Sequence, residues 1–253
     1  MRLYRLWQTM AQQALLAPSF VRAIHLLRNE TPPGVTFGVE VFDNALTLKF
    51  GEFSVFQGKA AHALCMRFCV RAMLPQPLGP NCDVIFVDGG NNFDPYSLSS
   101  LAVEHGLAPE DVLKRIHVSR AFTHHQLACL IIDKLPSAIE TFAAKLVIVS
   151  DITQLFCDPD VRDDDQDDSL QIFAKAVQTL RMLTRQFQCL ILATNLKHRS
   201  LQMERSLTHA AHVSARIEQN TRLTQFSLLK HPIRPPCTTI ASMPDVKLLE
   251  SYA

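Results

Sequence analysis

The chain has 253 residues, 47% of them hydrophobic, which is enough for one domain with a sizeable core. Its 25 basic and 24 acidic side chains leave a formal charge of +1, so no global field draws it to nucleic acid or to an anionic membrane, and any such contact must be local. Seven cysteines without CxxC spacing, mostly inside apolar runs, are expected as reduced thiols in a cytoplasmic protein; Cys65 and Cys69 lie one helical turn apart, but no Cys/His pair completes a metal site.

In chain order, Leu3–Ala17 and Ser19–Arg28 have helical spacing of apolar residues. The first begins with basic residues as a signal peptide does, yet Gln8, Gln12 and Gln13 interrupt any apolar core, so secretion is not expected. An N-terminal helical segment over residues 1–35 and a core over 36–253 are the expected units. In the core, Glu52–Phe56 reads as a strand, Ala60–Leu74 as a helix and Pro75–Pro80 as a loop. Val84–Val87 suits a strand covered on both faces, Pro109-Glu110-Asp111 starts a helix, and Ile116–Ser119 is the next strand. Leu127–Val149 is apolar but carries Asp133, Lys134, Pro136 and Glu140, which a bilayer span of roughly 20 residues would not tolerate.

Ala144–Ser150 and Cys189–Thr194 supply two more strands around a long amphipathic helix over Ser169–Phe187. Strands alternating with helices predict an α/β fold with a mostly parallel sheet covered on both faces. Two last runs, His212–Ile217 and Thr224–Lys230, are expected to close that sheet as a C-terminal β-hairpin.

Five groups of residues carry a family resemblance. Gly106-Leu107-Ala108-Pro109-Glu110-Asp111-Val112-Leu113 looks like a GLxPExVL turn, and Arg120-Ala121-Phe122 with His125-Gln126 looks like an RAxN..HQ segment. Leu64–Pro75, His209-Ala210 and His231-Pro232 to Pro235 add further points of likeness. Over about Pro18–Ser242 the chain resembles the RadA branch of the RecA-like recombinases, which implies a RecA-like P-loop NTPase fold. The helix-hairpin-helix domain that usually precedes this core has no counterpart here, so the resemblance implies a core-only paralogue.

The resemblance also says where nucleotide chemistry would be found. A phosphate loop needs GxxxxGK[ST], whose amides wrap phosphates while the lysine and hydroxyl serve the terminal phosphate and magnesium. Only Gly58-Lys59-Ala60 is present. If Gly51 is the first glycine, six residues rather than four precede Gly58, and Ala60 stands where the hydroxyl belongs. Alternatively Gly51–Gly58 forms the strand into the loop, and Lys59 is not the phosphate lysine; this register keeps strand and helix in phase.

Asp88 is followed by Gly89 and Gly90, where the family carries its catalytic glutamate two residues beyond the aspartate. Ser150 takes the place of the metal-site aspartate with Asp151 one residue later, either reaching a metal through a bulge or capping the next segment. Leu196 replaces the sensor glutamine after Thr194-Asn195, and Lys230 replaces the aspartate of the nucleotide cap.

Other surfaces remain for partners. Phe20-Val21-Arg22-Ala23 resembles the FxxA tether by which RadA-type subunits dock, with Phe20 and Ala23 as the anchor pair. Asp158–Asp168 is acidic where the family's first DNA loop needs positive charge. Lys197, Arg199 and Arg205 form a short basic segment suited to weak contact with single-stranded DNA, though no interleaved aromatics offer a stacking platform.

Together these imply a catalytically degenerate recombinase paralogue, acting as a structural or regulatory partner of a RadA-like subunit or of itself in recombination and repair. No cofactor is expected. The alternatives are an ATP- and magnesium-dependent DNA-binding recombinase using Gly58, Lys59 and Asp151, and an interaction module outside recombination.

Overall fold

Apolar runs too short to be helices become the buried strands of one sheet. The computed structural model describes residues 34–157, 166–196, 200–220 and 223–242. All belong to the second of the two units into which the chain divides, Pro33–Ala253. Phe20, Ala23 and the two N-terminal helices expected from sequence lie outside the described residues.

A two-stranded antiparallel ribbon, β1 (Gly34–Val35) and β2 (Leu48–Lys49), flanks a short helix α1 (Glu40–Ala45). Strand β3 (Phe53–Gln57) leads into α2 (Ala61–Met73), and β4 (Val84–Asp88) into α3 (Pro95–Glu104) and α4 (Pro109–Lys114). Beyond β5 (Ile116–Arg120), α5 (His124–Cys129) passes through a π-helical turn (Leu130–Lys134) into α6 (Leu135–Phe142). Then come β6 (Leu146–Ser150), a 3-10 turn (Leu155–Cys157), the long α7 (Gln166–Phe187) and β7 (Leu190–Asn195). Helix α8 (Leu201–Ala210) precedes β8 (Val213–Gln219), β9 (Leu223–Lys230) and β10 (Cys237–Ser242).

The eight strands from β3 onward form one sheet in the order β10-β9-β8-β3-β7-β6-β4-β5. The six from β8 to β5 are parallel, and β9 and β10 extend it antiparallel. In β3, β4, β6 and β7 every residue is buried, as a sheet covered on both faces requires. Alternation then divides the core. Val84, Phe86, Leu146, Ile148, Leu190 and Leu192 pack beneath α1 to α4, while Ile85, Val87, Val147, Val149 and Ile191 pack beneath α5 to α8.

Local chemistry fixes the helix starts. Asp94 caps α3 by accepting the Tyr96 amide at 2.9 Å with proline in the first turn, and α4 opens on Pro109 with Glu110 and Asp111 behind it. Thr123 caps α5 through the Gln126 amide, and Ser200 caps α8 through that of Met203.

The hairpin closes the sheet as expected, but two features exceed the sequence reading. The ribbon β1–β2 has two residues per strand and no periodicity to detect. Strand β10, CTTIAS, is an edge strand buried only at Ala241, so its apolar signal is weak. Burial pushes the Cys82 and Cys189 thiols up to about 11, and the thiols of Cys65 and Cys69 higher still, as suits packed, protonated side chains. Among the described residues no cluster of His, Cys, Asp or Glu could hold a metal ion, and no helix is long and apolar enough to cross a membrane.

His212 ties the hairpin to the parallel sheet. Its Nδ1 accepts the Phe53 amide at 2.9 Å while its own amide donates to Phe53 O at 2.8 Å. Burial, and then the charges of Arg181, Arg185 and Lys230, hold the imidazole below its ordinary range. The unfolded chain therefore takes up this proton at a higher pH than the fold does. The stabilisation is complete above the unfolded value of ~6.5 and is lost as pH falls through the lower folded value. We expect the urea midpoint to drop further between pH 7.5 and 5.5 in the wild type than in His212→Asn, whose amide oxygen can still accept. An equal drop in both proteins would reject His212 as the source.

Candidate functional site

Ligands of open parallel sheets collect beyond the carboxyl ends of the strands. Here those ends are Gln57, Asp88, Arg120, Ser150, Asn195 and Gln219.

The connection from β3 to α2 is only Gly58, Lys59 and Ala60. Gly58 adopts a φ of +98°, its amide donates to Asn195 O at 3.0 Å, and its carbonyl accepts the Ala61 amide at 3.0 Å. A Cβ at this position would overlap the Ile217 carbonyl oxygen. The chain therefore turns tightly against β8 and enters the helix at once. The strand ends ahead of Gly58, which matches the register in which Gly51–Gly58 leads into the loop. Lys59 is exposed, and among the described residues no hydrogen bond or ion pair holds it. Beside the turn, Gln57 Oε1 accepts from Arg216 Nη2 at 3.1 Å.

Asp88 is fully buried and its carboxylate is occupied. Oδ1 accepts the Asn92 amide at 2.9 Å; Oδ2 accepts the Phe93 amide at 3.1 Å and Arg120 Nε at 3.2 Å. These bonds fold the Gly89–Phe93 loop back over the strand end, where Gly89 donates to Ser150 O and Asn92 Nδ2 reaches Ser150 Oγ at 3.4 Å. Gly90 faces the same crowded space. A Cβ there would stand 2.8 Å from Asp151 Cβ and would also collide with the Asn92 amide.

Asp151 is buried at 1% exposure and has left the strand conformation, with φ +44°. Its amide donates to Thr194 Oγ1 at 2.9 Å and its Oδ1 accepts the Leu196 amide at 3.2 Å. The carboxylate thus caps the end of β7, while the segment that follows β6 is held by the main-chain oxygen through the Gln154 amide. Thr153 Oγ1 completes this knot by donating to Asn195 Oδ1 at 2.9 Å.

His62, on the first turn of α2, was not singled out by sequence. Burial lowers its pKa, opposed by the charges of Asp88 and Asp94, and its buried Nδ1 has no hydrogen-bond partner among the described residues. Arg120 read as a fold marker and proves to be the ion-pair partner of Asp88. The Gly-Gly-Asn-Asn run after Asp88 was the available signal for a turn folding back on that carboxylate.

The remaining candidates scatter. Arg205 is exposed on α8, whereas Lys197, Arg199 and most of the acidic run lie outside the described residues. Lys230, which the resemblance sets against the nucleotide cap, donates to the Thr208 and His209 carbonyls and so satisfies the carboxyl end of α8.

With this geometry in hand, the sequence model of the Rad51 family matches residues 36–214. The chain belongs to the Rad51 family. Its sheet is accordingly the RecA-like fold with two antiparallel strands added at one edge. The chain is 32% identical over 121 residues to the DNA repair and recombination protein RadA of Aeropyrum pernix, covering 47% of this chain and 35% of that relative. It is 30% identical over 158 residues to the meiotic recombination protein DMC1/LIM15 homolog of Homo sapiens, covering 58% of this chain and 45% of that one. The mouse counterpart matches at the same identity over the same length. The chain thus spans between about a third and a half of the length of these curated relatives.

Proposed function

We propose that this Rad51-family chain is a catalytically degenerate paralogue that serves as a structural or regulatory partner in homologous recombination and DNA repair. The observation that carries the reading is the three-residue turn after β3. Phosphate recognition at such a site needs several free amides around an anion. Here the Gly58 amide is spent on Asn195. Three other features of the strand ends support the same reading. The space at Gly90 is filled by Asn92 and Asp151, Ser150 ends the strand paired with β4, and the Leu196 amide is spent on Asp151. Phosphoryl transfer depends on positioning and charge stabilisation, so losing these parts together removes most of its driving arrangement.

The partner in this reading is a RadA-like subunit or a second copy, engaged through Phe20 and Ala23 as a docking tether. Calorimetric titration with ATP and magnesium tests it first. The expected result is no saturable heat and no turnover. Saturable binding or turnover that disappears in Lys59→Ala would overturn the reading in favour of a rearranged ATPase using Lys59 and Asp151.

A further inference from the structure

The two edges of the sheet differ in what they present to solvent. At one edge β5 and its flank are charged: Arg120 is held by Asp88, Arg115 by Asp83, and His117 stacks on Phe142 at 3.7 Å. At the other, β10 reads Cys-Thr-Thr-Ile-Ala-Ser, without charge, proline or glycine, and its register with β9 is unbroken over the whole strand. Charges, prolines and bulges are what ordinarily keep an edge from pairing with a further strand. β10 has none of them, and among the described residues β9 is the one strand paired with it.

The two faces of β10 are also unlike. Ala241 lies in the core beneath α1, and Thr239 shares that side, where its Oγ1 is enclosed without a hydrogen-bond partner among the described residues. Thr238 and Ile240 point the other way. Thr238 Oγ1 donates to Ser227 Oγ at 3.1 Å, whereas Ile240, beside Gln225, is 53% exposed. An apolar side chain thus stands in a polar neighbourhood on the outermost strand.

We infer that β10 joins two copies of this chain edge to edge about a two-fold axis, making one continuous sheet. When a strand pairs antiparallel with its own copy about an axis perpendicular to the sheet, opposite residues must point to the same side. The register therefore centres on a residue and not between two. Ile240 fits that centre, because in the sequence it lies midway between Pro236 and Pro244. Each proline, with no amide hydrogen to give, then falls opposite the other at the ends of the ladder instead of within it. Thr239 is set opposite Ala241 of the second copy and Thr238 opposite Ser242, while the two Ile240 side chains cover each other.

Electrostatics favours this occupant. An uncharged strand cannot repel its own copy, and it offers a partner selected by charge nothing to read. Each chain has one such edge, so pairing stops at a dimer. The ladder is short against the roughly 800 Å² that each partner buries in a standard interface, so the dimer is weak and its population depends on concentration. This surface is separate from Phe20 and Ala23, and it does not depend on the fate of ATP.

The test is sedimentation velocity of the full chain over a wide range of concentrations. Wild type and Phe20→Ala should both pass from monomer to dimer as concentration rises. Ile240→Lys, whose charge meets its own copy across the axis, should weaken the dimer roughly tenfold, and so should Ile240→Glu. Either new side chain reaches water in the monomer, so an unchanged melting temperature reports intact folding. Mixed in equal amounts, the two variants should associate more tightly than either alone, because opposite charges then face each other. The inference is overturned by a monomer at every concentration, by a dimer indifferent to Ile240→Lys, or by a mixture no tighter than its components. A dimer lost in Phe20→Ala would also overturn it, placing the association at the tether.

Discussion

Gly58→Ala is expected to destabilise the protein by about 3 kcal/mol, more than any other single methyl group added near the strand ends. Two costs combine. A φ of +98° is one that L side chains rarely adopt, worth ~1–3 kcal/mol, and the new Cβ overlaps the backbone oxygen of Ile217, where relief requires β8 to shift, worth ~1–3 kcal/mol. The smaller gain from a stiffer unfolded chain, ~0.4–1 kcal/mol, does not offset this. Lys59→Ala, on the same turn but exposed, should change stability by less than ~0.5 kcal/mol. Urea midpoints at constant slope measure both. If Gly58→Ala matched Lys59→Ala, the tight turn against β8 would be refuted, and with it the main support for a lost phosphate loop.

The second large effect concerns Gly90, where the family resemblance leads one to expect a catalytic glutamate. Gly90→Glu should fail to create activity and should destabilise by about 1–3 kcal/mol, because Asp151 Cβ and the Asn92 amide already occupy the space. Asp151→Gly alone removes the carboxylate that caps Leu196, but it also relieves the φ of +44° and removes one of the two groups that crowd that space, leaving the Asn92 side-chain amide free to swing away. The two changes should therefore couple, with Gly90→Glu less costly in the Asp151→Gly background by ~0.5–3 kcal/mol. Strict additivity in a double-mutant cycle would show that Gly90 and Asp151 do not share one volume. A Gly90→Glu single variant that hydrolysed ATP would contradict the proposed function directly.

The interlock explains why a glycine pair follows Asp88. Once the chain at Asp151 swings out of the strand to cap β7, no side chain fits at Gly90. The change of one site and the change of the other are a single packing event. In the sequence they appear as two unrelated departures separated by some sixty residues.

The amino-acid pattern alone gave the chain order of the main strands and helices and seven of the eight strands of the sheet, but not β10 or the ribbon β1–β2. Val84–Val87, Leu146–Val149 and Cys189–Ala193 are continuous apolar runs between amphipathic segments, and burial on both faces leaves such runs no other stable place. It also exposed where the chain departs from the phosphate-loop pattern and from the glutamate that the resemblance leads one to expect, since an absent side chain is visible without coordinates. Tertiary structure alone decided what filled those gaps. That Gly58 lies against Ile217, that Arg120 pairs with Asp88, that Asp151 caps Leu196 and that Arg181 neighbours Lys230 all join residues far apart in the chain. Periodicity carries information only over neighbouring turns and strands. Contacts of long sequence separation depend on how the whole sheet stacks, and the strand-end chemistry of this protein is built from those.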